Sequence, residues 1–434
     1  MSPENTDVLL IKGGRVIDPA TGFDRIADVL IEGGRIKKIR EGGREVVDRK
    51  KSRVIDAKGK IITPGLIDMH VHLREPGRED EETIHTGCEA AAAGGFTAVA
   101  CMPNTYPPID GPEGVRSIIA RSQGADTRVY PIAAITKERS GKELTDMEAL
   151  LEAGARAFSD DGDPVEDAQI MRCALERAKA LGTLIISHAE EKSLSQGGQL
   201  NEGKVSTALG LKGIPRIAED IMVAREIFIA GYVGSRIHIA HVSTAGSVKL
   251  IRRAKEEGLE VTCETAPHYF SLTEEEVVPL GTNAKMNPPL RTSEDVKAIK
   301  EGLADGTIDV IASDHAPHSE AEKLEQFEKA PFGIIGLETT IGLVFTELII
   351  SGVLSLMEVV AKLSLNPARI LGIEGGELRE GKRADLTIID PEKWWDVNVE
   401  EFRSKSRNSP FNGRTLKGRV AMTIVGGRVI GRSE

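Results

Sequence analysis

The stretch LIDMHVHL (66–73) decides the fold. It is an apolar, strand-like run carrying two histidines two residues apart, His70 and His72, so both side chains leave the strand on one face. Asp68 shares that parity and is placed to support them from below. Seven later stretches are built the same way, an apolar run that ends in polar residues. They are FTAVACMPN (96–104), RVYPIAAIT (128–136), ARAFSDDG (155–162), TLIISHAE (183–190), RIHIAHVST (236–244), LEVTCETAP (259–267) and DVIASDHAP (309–317). Between them, segments such as DMEALLEAGA (146–155) and AQIMRCALERAKAL (168–181) show helical periodicity. Eight strands alternating with helices predict a (β/α)8 barrel. A doubly wound open sheet is the alternative, because counting strands does not show closure.

In such a barrel the C-terminal strand ends carry the chemistry. His70 and His72 sit on the first strand, Asp160 and Asp161 end the fourth, and His188 ends the fifth. His241 ends the sixth and Asp314 the eighth. A lone strand-end histidine is usually a satisfied polar residue. Imidazoles and carboxylates from five strands over one mouth are instead a donor set for Zn²⁺ or a similar divalent ion. Among the other histidines, His85 reads as surface or packing on a helix. His238 has the wrong parity to join His241, and His315 is offset by one from Asp314. His268 is left without a role, and His318 lies over the same rim as Asp314.

The flanks are β-rich. VLLIKGGRVIDP (8–19) and ADVLIEGGRIKKI (27–39) alternate apolar and polar residues and carry Gly-Gly turns, RVIDAKGKIITPG (53–65) continues the pattern, and ADLTIID (384–390) with AMTIVGGRVI (421–430) resembles it near the other end. GGRVI occurs at both 13–17 and 426–430. These signals predict a composite β domain from residues 1–62 and 375–434 around a barrel at 63–374. Two unrelated hairpins are the alternative.

Composition narrows the classes. The chain has 434 residues with 56 Lys+Arg against 67 Asp+Glu, a net charge of −11. That balance argues against broad binding to nucleic acid or anionic membrane. No apolar run approaches the roughly 18 residues of a membrane span. MSPENTDVLL shows no secretory leader pattern, so the expected compartment is the cytoplasm. Cys88, Cys101, Cys173 and Cys263 form no CxxC pair and read as buried small hydrophobes. Aromatics are 4%, so aliphatic side chains must fill the core.

The motifs DMHVHLREPG, CMPNT, FSDDG, SHAEE, HVST, NPPLR and SDHAPH, with NPARILG at 366–372, occur in this order. In them the chain resembles the larger, bacterial-type class of dihydroorotases within the amidohydrolase superfamily, over essentially its whole length. The resemblance implies a metal-dependent hydrolase barrel with a small β-sandwich domain formed by both termini. It implies His70, His72 and Asp314 on one metal, His188 and His241 on a second, and Asp161 as the bridge. Many amidohydrolases bridge with a carboxylated lysine, and GARAFSDDG offers none. Asp161, 27 residues before His188, fits the family's spacing better than Asp160. One or two Zn²⁺ per subunit are expected.

The implied reaction is reversible hydrolysis of dihydroorotate to N-carbamoyl-L-aspartate, with water activated at the metal as nucleophile and Asp314 as proton shuttle. Both compounds carry carboxylate. Arg74 can grip one through two parallel hydrogen bonds, although a salt bridge to Glu75 or Glu79 is its plainer reading. Asn104 and His318 supply further donors, and Asn287 with the Phe332–Gly333 backbone matches substrate-contacting positions of the family. Segments 76–82 and 318–330 are read as either a mobile cover or solvated loops. A homodimer is expected, and association with aspartate transcarbamoylase is left open. The rivals are a hydrolase of hydantoins, dihydropyrimidines or allantoin, and a silent scaffold that has lost its metal.

Overall fold

The computed structural model describes residues 8–42 and 52–432. The parts of the expected β domain at 1–7, 43–51 and 433–434, with most of MSPENTDVLL, lie outside the described residues. All eight expected barrel strands form: β1 (Leu66–Val71), β2 (Phe96–Cys101), β3 (Arg128–Ala133), β4 (Ala157–Phe158), β5 (Ile185–Ser187), β6 (Ile237–Ile239), β7 (Val261–Thr265) and β8 (Val310–Ile311). They pair in sequence order, and every pairing is parallel. The seam between β1 and β8 is drawn together by a bridge from Val71 to His315 and by the His72 amide donating to His315 O at 2.8 Å. Asp68 completes it, accepting from the amides of His70 and Ser313 at about 3.1 Å each. The open-sheet alternative is thereby set aside.

Each strand is shorter than its sequence signature because the polar residues at its end peel away from the ladder toward the mouth. Small aliphatics fill the interior: Met69, Ala100, Ile132, Ala157, Ile186 and Val310 meet in one cluster. On the outer face, strand residues such as Val99, Ile185 and Ile239 pack against helix residues such as Val115, Leu175 and Val223. Strands buried on both faces explain the near-continuous apolar runs. The helices start and stop where the sequence signals it. Helix Ala168–Leu181 is capped by the Asp167 side chain and ends at Gly182 with φ 66°.

The second sheet joins both ends of the chain. Its strand order is Arg428–Arg432, Thr415–Val425, Leu386–Asp396, Ile61–Pro64, Val8–Asp18, Phe23–Glu32 and Arg35–Glu41, with Ser52–Asp56 also on Val8–Asp18. Ile61–Pro64 and Leu386–Asp396 pair antiparallel, stitching the two termini. The repeated GGRVI does two different jobs. Gly426–Gly427 turns a hairpin, whereas Gly13–Gly14 sits at a register shift inside a strand, not at a turn. The turns at Gly33–Gly34 and Gly426–Gly427 touch so closely that a Cβ on Gly34 would lie 2.7 Å from Gly426 O. Between two strands of this sheet, residues 397–412 leave it and run over the barrel. There the Asn408 amide donates to Ala316 O and Gly333 O at 3.1 Å.

Three cysteines are buried as expected, but Cys173 is only half-buried on its helix, beside Gln169. His85 is exposed on helix Ile84–Ala93. Among the described residues, no helix is long and apolar enough to cross a membrane.

Candidate metal centre and active site

At the C-terminal mouth of the barrel, the expected residues converge. Asp161 is central: its Oδ1 lies 3.5 Å from His70 Nε2, 3.5 Å from His188 Nδ1 and 3.4 Å from His241 Nε2, and its Oδ2 is 3.6 Å from His72 Nε2. Asp314 Oδ1 is 3.3 Å from His72 Nε2 and 3.6 Å from His70 Nε2. All six side chains are buried. Asp160, the alternative to Asp161, turns away. It accepts from the amides of Ile135 and Thr136 at 2.8 and 3.2 Å and from the Thr136 hydroxyl.

The outward ring nitrogens are committed. His70 Nδ1 donates to Glu264 at 2.5 Å, and His188 Nε2 to Glu190 at 3.2 Å. His72 Nδ1 donates to Asn104 Oδ1 at 2.8 Å. In the neutral rings this leaves the inward nitrogens as lone pairs, facing two carboxylates. Burial alone would raise Asp161 and Asp314; without a cation between them, it is protons on the surrounding imidazoles, His70 foremost by its charge, that hold both well below the usual carboxylate range. Burial likewise opposes ionisation of Glu264, and His70 and His238 overcome it, bringing it down to about 2.

The set fits a divalent ion. His70 Nε2 and Asp161 Oδ1 are buried without a hydrogen-bond partner. His188 Nδ1 and His241 Nε2 lie only 2.8 Å apart. Two overlapping donor groups, His70/Asp161/His241 and His70/His72/Asp314, each gather their ligand atoms within 4.8 Å. Converging lone pairs and carboxylates of this kind need a cation to offset them.

The backbone is strained here. Arg74, His241 and Asp314 have φ of 59°, 34° and 49°, three of five non-glycine residues with positive φ among the described residues. Such conformations cost about 1–3 kcal/mol each, and the packed structure holds them where function requires an aim.

A cleft of about 990 Å³ opens above the cluster, and Arg74, Asn104, Asn287, His318, Phe332 and Gly333 all line it. Arg74 Nε donates to Pro317 O at 3.0 Å and lies 3.2 Å from Glu81. Neither Glu75 nor Glu79, the partners considered from sequence, pairs with it. Glu75 binds Arg121 and the Ile84 amide, and Glu79 accepts from the Gly77 amide. Asn287 Nδ2 donates to Glu190 at 3.1 Å. The Phe332–Gly333 backbone is engaged within the protein: Phe332 O by His318 at 2.7 Å, Gly333 N by Lys285 O at 2.9 Å, and Gly333 O by Lys323 at 2.9 Å.

His238 and His315 point elsewhere, as expected. His238 lies between Thr262 and Glu264, and His315 between Glu82 and the Gly336 amide. His268 is buried with Nε2 unpartnered, and burial pushes its pKa down to about 4.

Both rim segments read as covers or solvated loops are fastened. In 76–82, Glu82 is buried and binds Thr86, Ser404 and the Lys405 amide. In 318–330, Lys323 is buried and its ammonium donates to the carbonyls of Lys285, Pro331 and Gly333.

Sequence reasoning missed Glu81, Glu190, Glu264 and Asn408. Glu264 ends β7 in VTCETAP, the same strand-end signal as the others. Glu190 follows His188 by two and shares its parity. Glu81 and Asn408 carry no local signal.

A closed parallel barrel with histidines and aspartates gathered at its C-terminal mouth defines an amidohydrolase. The amidohydrolase family model matches residues 218–430, and a dihydro-orotase-like model matches residues 59–247. The chain is 57% identical over 422 residues to the dihydroorotase of Pelotomaculum thermopropionicum, covering 97% of this chain and 98% of the relative. It is 53% identical to that of Geobacter metallireducens, over 97% and 99%. The chain belongs to the dihydroorotase family. Among solved structures it is similar to the L-hydantoinase of Arthrobacter aurescens, with a TM-score of 0.87 and 27% identity over 98% of this chain and 96% of that one.

Proposed function

We propose that the chain catalyses reversible hydrolysis of dihydroorotate to N-carbamoyl-L-aspartate, the third step of de novo pyrimidine biosynthesis, with zinc as its metal. The observation that carries this reading is the pairing of two features in one cleft. A buried His/Asp cluster suited to a divalent ion lies under a hydrogen-bonding grip made by the Arg74 guanidinium and His318. A cyclic amide bearing a carboxylate needs both.

His70, His72 and Asp314 would hold one ion and His188 and His241 a second, with Asp161 between them. When bound, such an ion polarises the scissile carbonyl and makes water acidic enough to attack near neutral pH. Asp314 takes a proton from the attacking water and returns it to the ring nitrogen as the C–N bond breaks. Its positive φ and its contact with His72 fix the carboxylate for both transfers.

Arg74 receives the substrate carboxylate. Asn104 gives its oxygen to His72, which turns its amide nitrogen toward the ligand. His318 adds a donor beside Arg74, Asn287 lines the opposite wall, and Phe332 and Gly333 shape the rim. A cytoplasmic homodimer goes with this reading, compatible with association with aspartate transcarbamoylase, and sedimentation with and without that partner tests both.

The test is a comparison of substrates on metal-loaded enzyme. Dihydroorotate should be turned over at least about 100-fold more efficiently than dihydrouracil or hydantoin, which lack the carboxylate. Equal or inverted preference would make the chain a hydantoinase-like enzyme, in keeping with its structural neighbours.

A further inference from the structure

Glu81 sits beneath the rim, almost fully buried at 1% exposure. One oxygen, Oε1, accepts from His318 Nδ1 at 2.7 Å and lies 3.2 Å from Arg78. The other, Oε2, lies 3.2 Å from Arg74 Nε. A single carboxylate therefore spans both residues of the grip. Glu322 completes the surroundings, 2.7 Å from Arg78. Glu81, His318 and Glu322 have the spacing of a cation site, but the guanidinium groups of Arg74 and Arg78 already supply the positive charge.

The geometry settles which edge of Arg74 is offered. A guanidinium has two edges that can take a carboxylate in parallel, Nε with one terminal nitrogen, or both terminal nitrogens. Here Nε is occupied by Glu81 and Pro317 O, and Nη2 lies 3.2 Å from His318 Nε2, so Nη1 with the second N–H of Nη2 is the edge left for substrate. His318 is held in the same way. Its two ring nitrogens each face an acceptor at 2.7 Å, Glu81 Oε1 and Phe332 O. The doubly protonated ring satisfies both acceptors, and the neutral ring only one. Burial, with the charges of Arg74 and Lys323, outweighs the Glu81 carboxylate and holds the ring below the ordinary histidine range, so what Glu81 fixes is the orientation of His318 through Nδ1.

We propose that Glu81 is the positioning residue of the substrate-carboxylate site, aiming Arg74 and fixing the orientation of the His318 ring without touching substrate. The inference rests on the functional reading above. It predicts a selective defect: ligands with a carboxylate lose affinity, and those without it do not.

The experiment uses zinc-loaded full-length enzyme and the Glu81→Gln variant, which keeps the shape and removes the charge. KM for dihydroorotate should rise about tenfold or more, with kcat changed less than about threefold and metal content unchanged. Competitive inhibition by orotate should weaken by the same factor, while inhibition by uracil stays as in the parent. Unchanged KM, an equal loss for orotate and uracil, or loss of metal would overturn the proposal. Should Glu81→Gln fail to fold, the orotate-to-uracil ratio is read with Glu81→Asp, whose carboxylate is one methylene short of both partners. An unchanged ratio there overturns it equally. A parent enzyme that does not turn over dihydroorotate at full metal loading rejects the functional reading itself. An active parent with an unaltered Glu81→Gln ratio rejects only the role of Glu81.

Discussion

Glu264 Oε1 lies 2.5 Å from His70 Nδ1, and this contact decides which nitrogen of His70 faces the metal cluster. Both residues are buried, and the carboxylate stays ionised because His70 and His238 flank it. Support of this kind fixes the tautomer and orientation of a ligand histidine and raises its basicity. Glu264→Gln should lower zinc affinity about 10–100-fold, read by competition with a chromophoric chelator. Unaltered affinity would remove Glu264 from the metal site.

The two aspartates that end β4 should separate cleanly. Asp161→Ala removes the central carboxylate and should cost at least one metal equivalent, measured by elemental analysis. Asp160→Ala should keep the metal but leave the amides of Ile135 and Thr136 without their acceptor, destabilising the fold by about 2–4 kcal/mol in denaturant. The opposite ranking would move the bridge to Asp160.

Arg74→Met keeps much of the side-chain bulk and removes the fork. It should retain metal and raise KM for dihydroorotate about 100-fold, the scale expected for a lost charge-assisted pair. Loss of metal instead would make Arg74 a structural residue.

Glu338 supplies a pH prediction away from the metal. Burial raises its carboxyl to about 7, although the amides of Arg403 and Ser404 donate to it. With the folded value above the unfolded one, the native state binds more protons between about pH 4.5 and 7. Its contribution to stability therefore falls as pH rises through that window. Glu338→Gln should flatten this slope and be the more stable form at pH 8, by at most about 3 kcal/mol. Chemical denaturation at pH 5 and pH 8 checks the sign, and a parallel offset at both would contradict it.

The barrel and its cluster were legible because each carries a local signature. Apolar runs ending in His or Asp mark the strands, and a spacing of two puts His70 and His72 on one face. Strand ends were overread, since TLIISHAE spans eight residues but only Ile185–Ser187 pairs. The residues that leave the ladder are the ones that reach the site. The repeat GGRVI misled locally, because the same glycines serve a bulge in one strand and a hairpin turn in another. Glu81 was invisible because its meaning lies in His318, 237 residues away, and in the fastening of two rim segments that composition alone renders as loops. Asn408 was invisible for the same reason, arriving at the rim from a segment that interrupts the terminal sheet.

The central claim is that the His/Asp cluster, loaded with a divalent ion, hydrolyses dihydroorotate. Its most direct test is dihydroorotate hydrolysis by purified protein before chelation, after chelation, and after zinc is added back. Activity that disappears with the chelator and returns with zinc is the predicted result. Activity indifferent to chelation, or none at full zinc occupancy, would contradict the account.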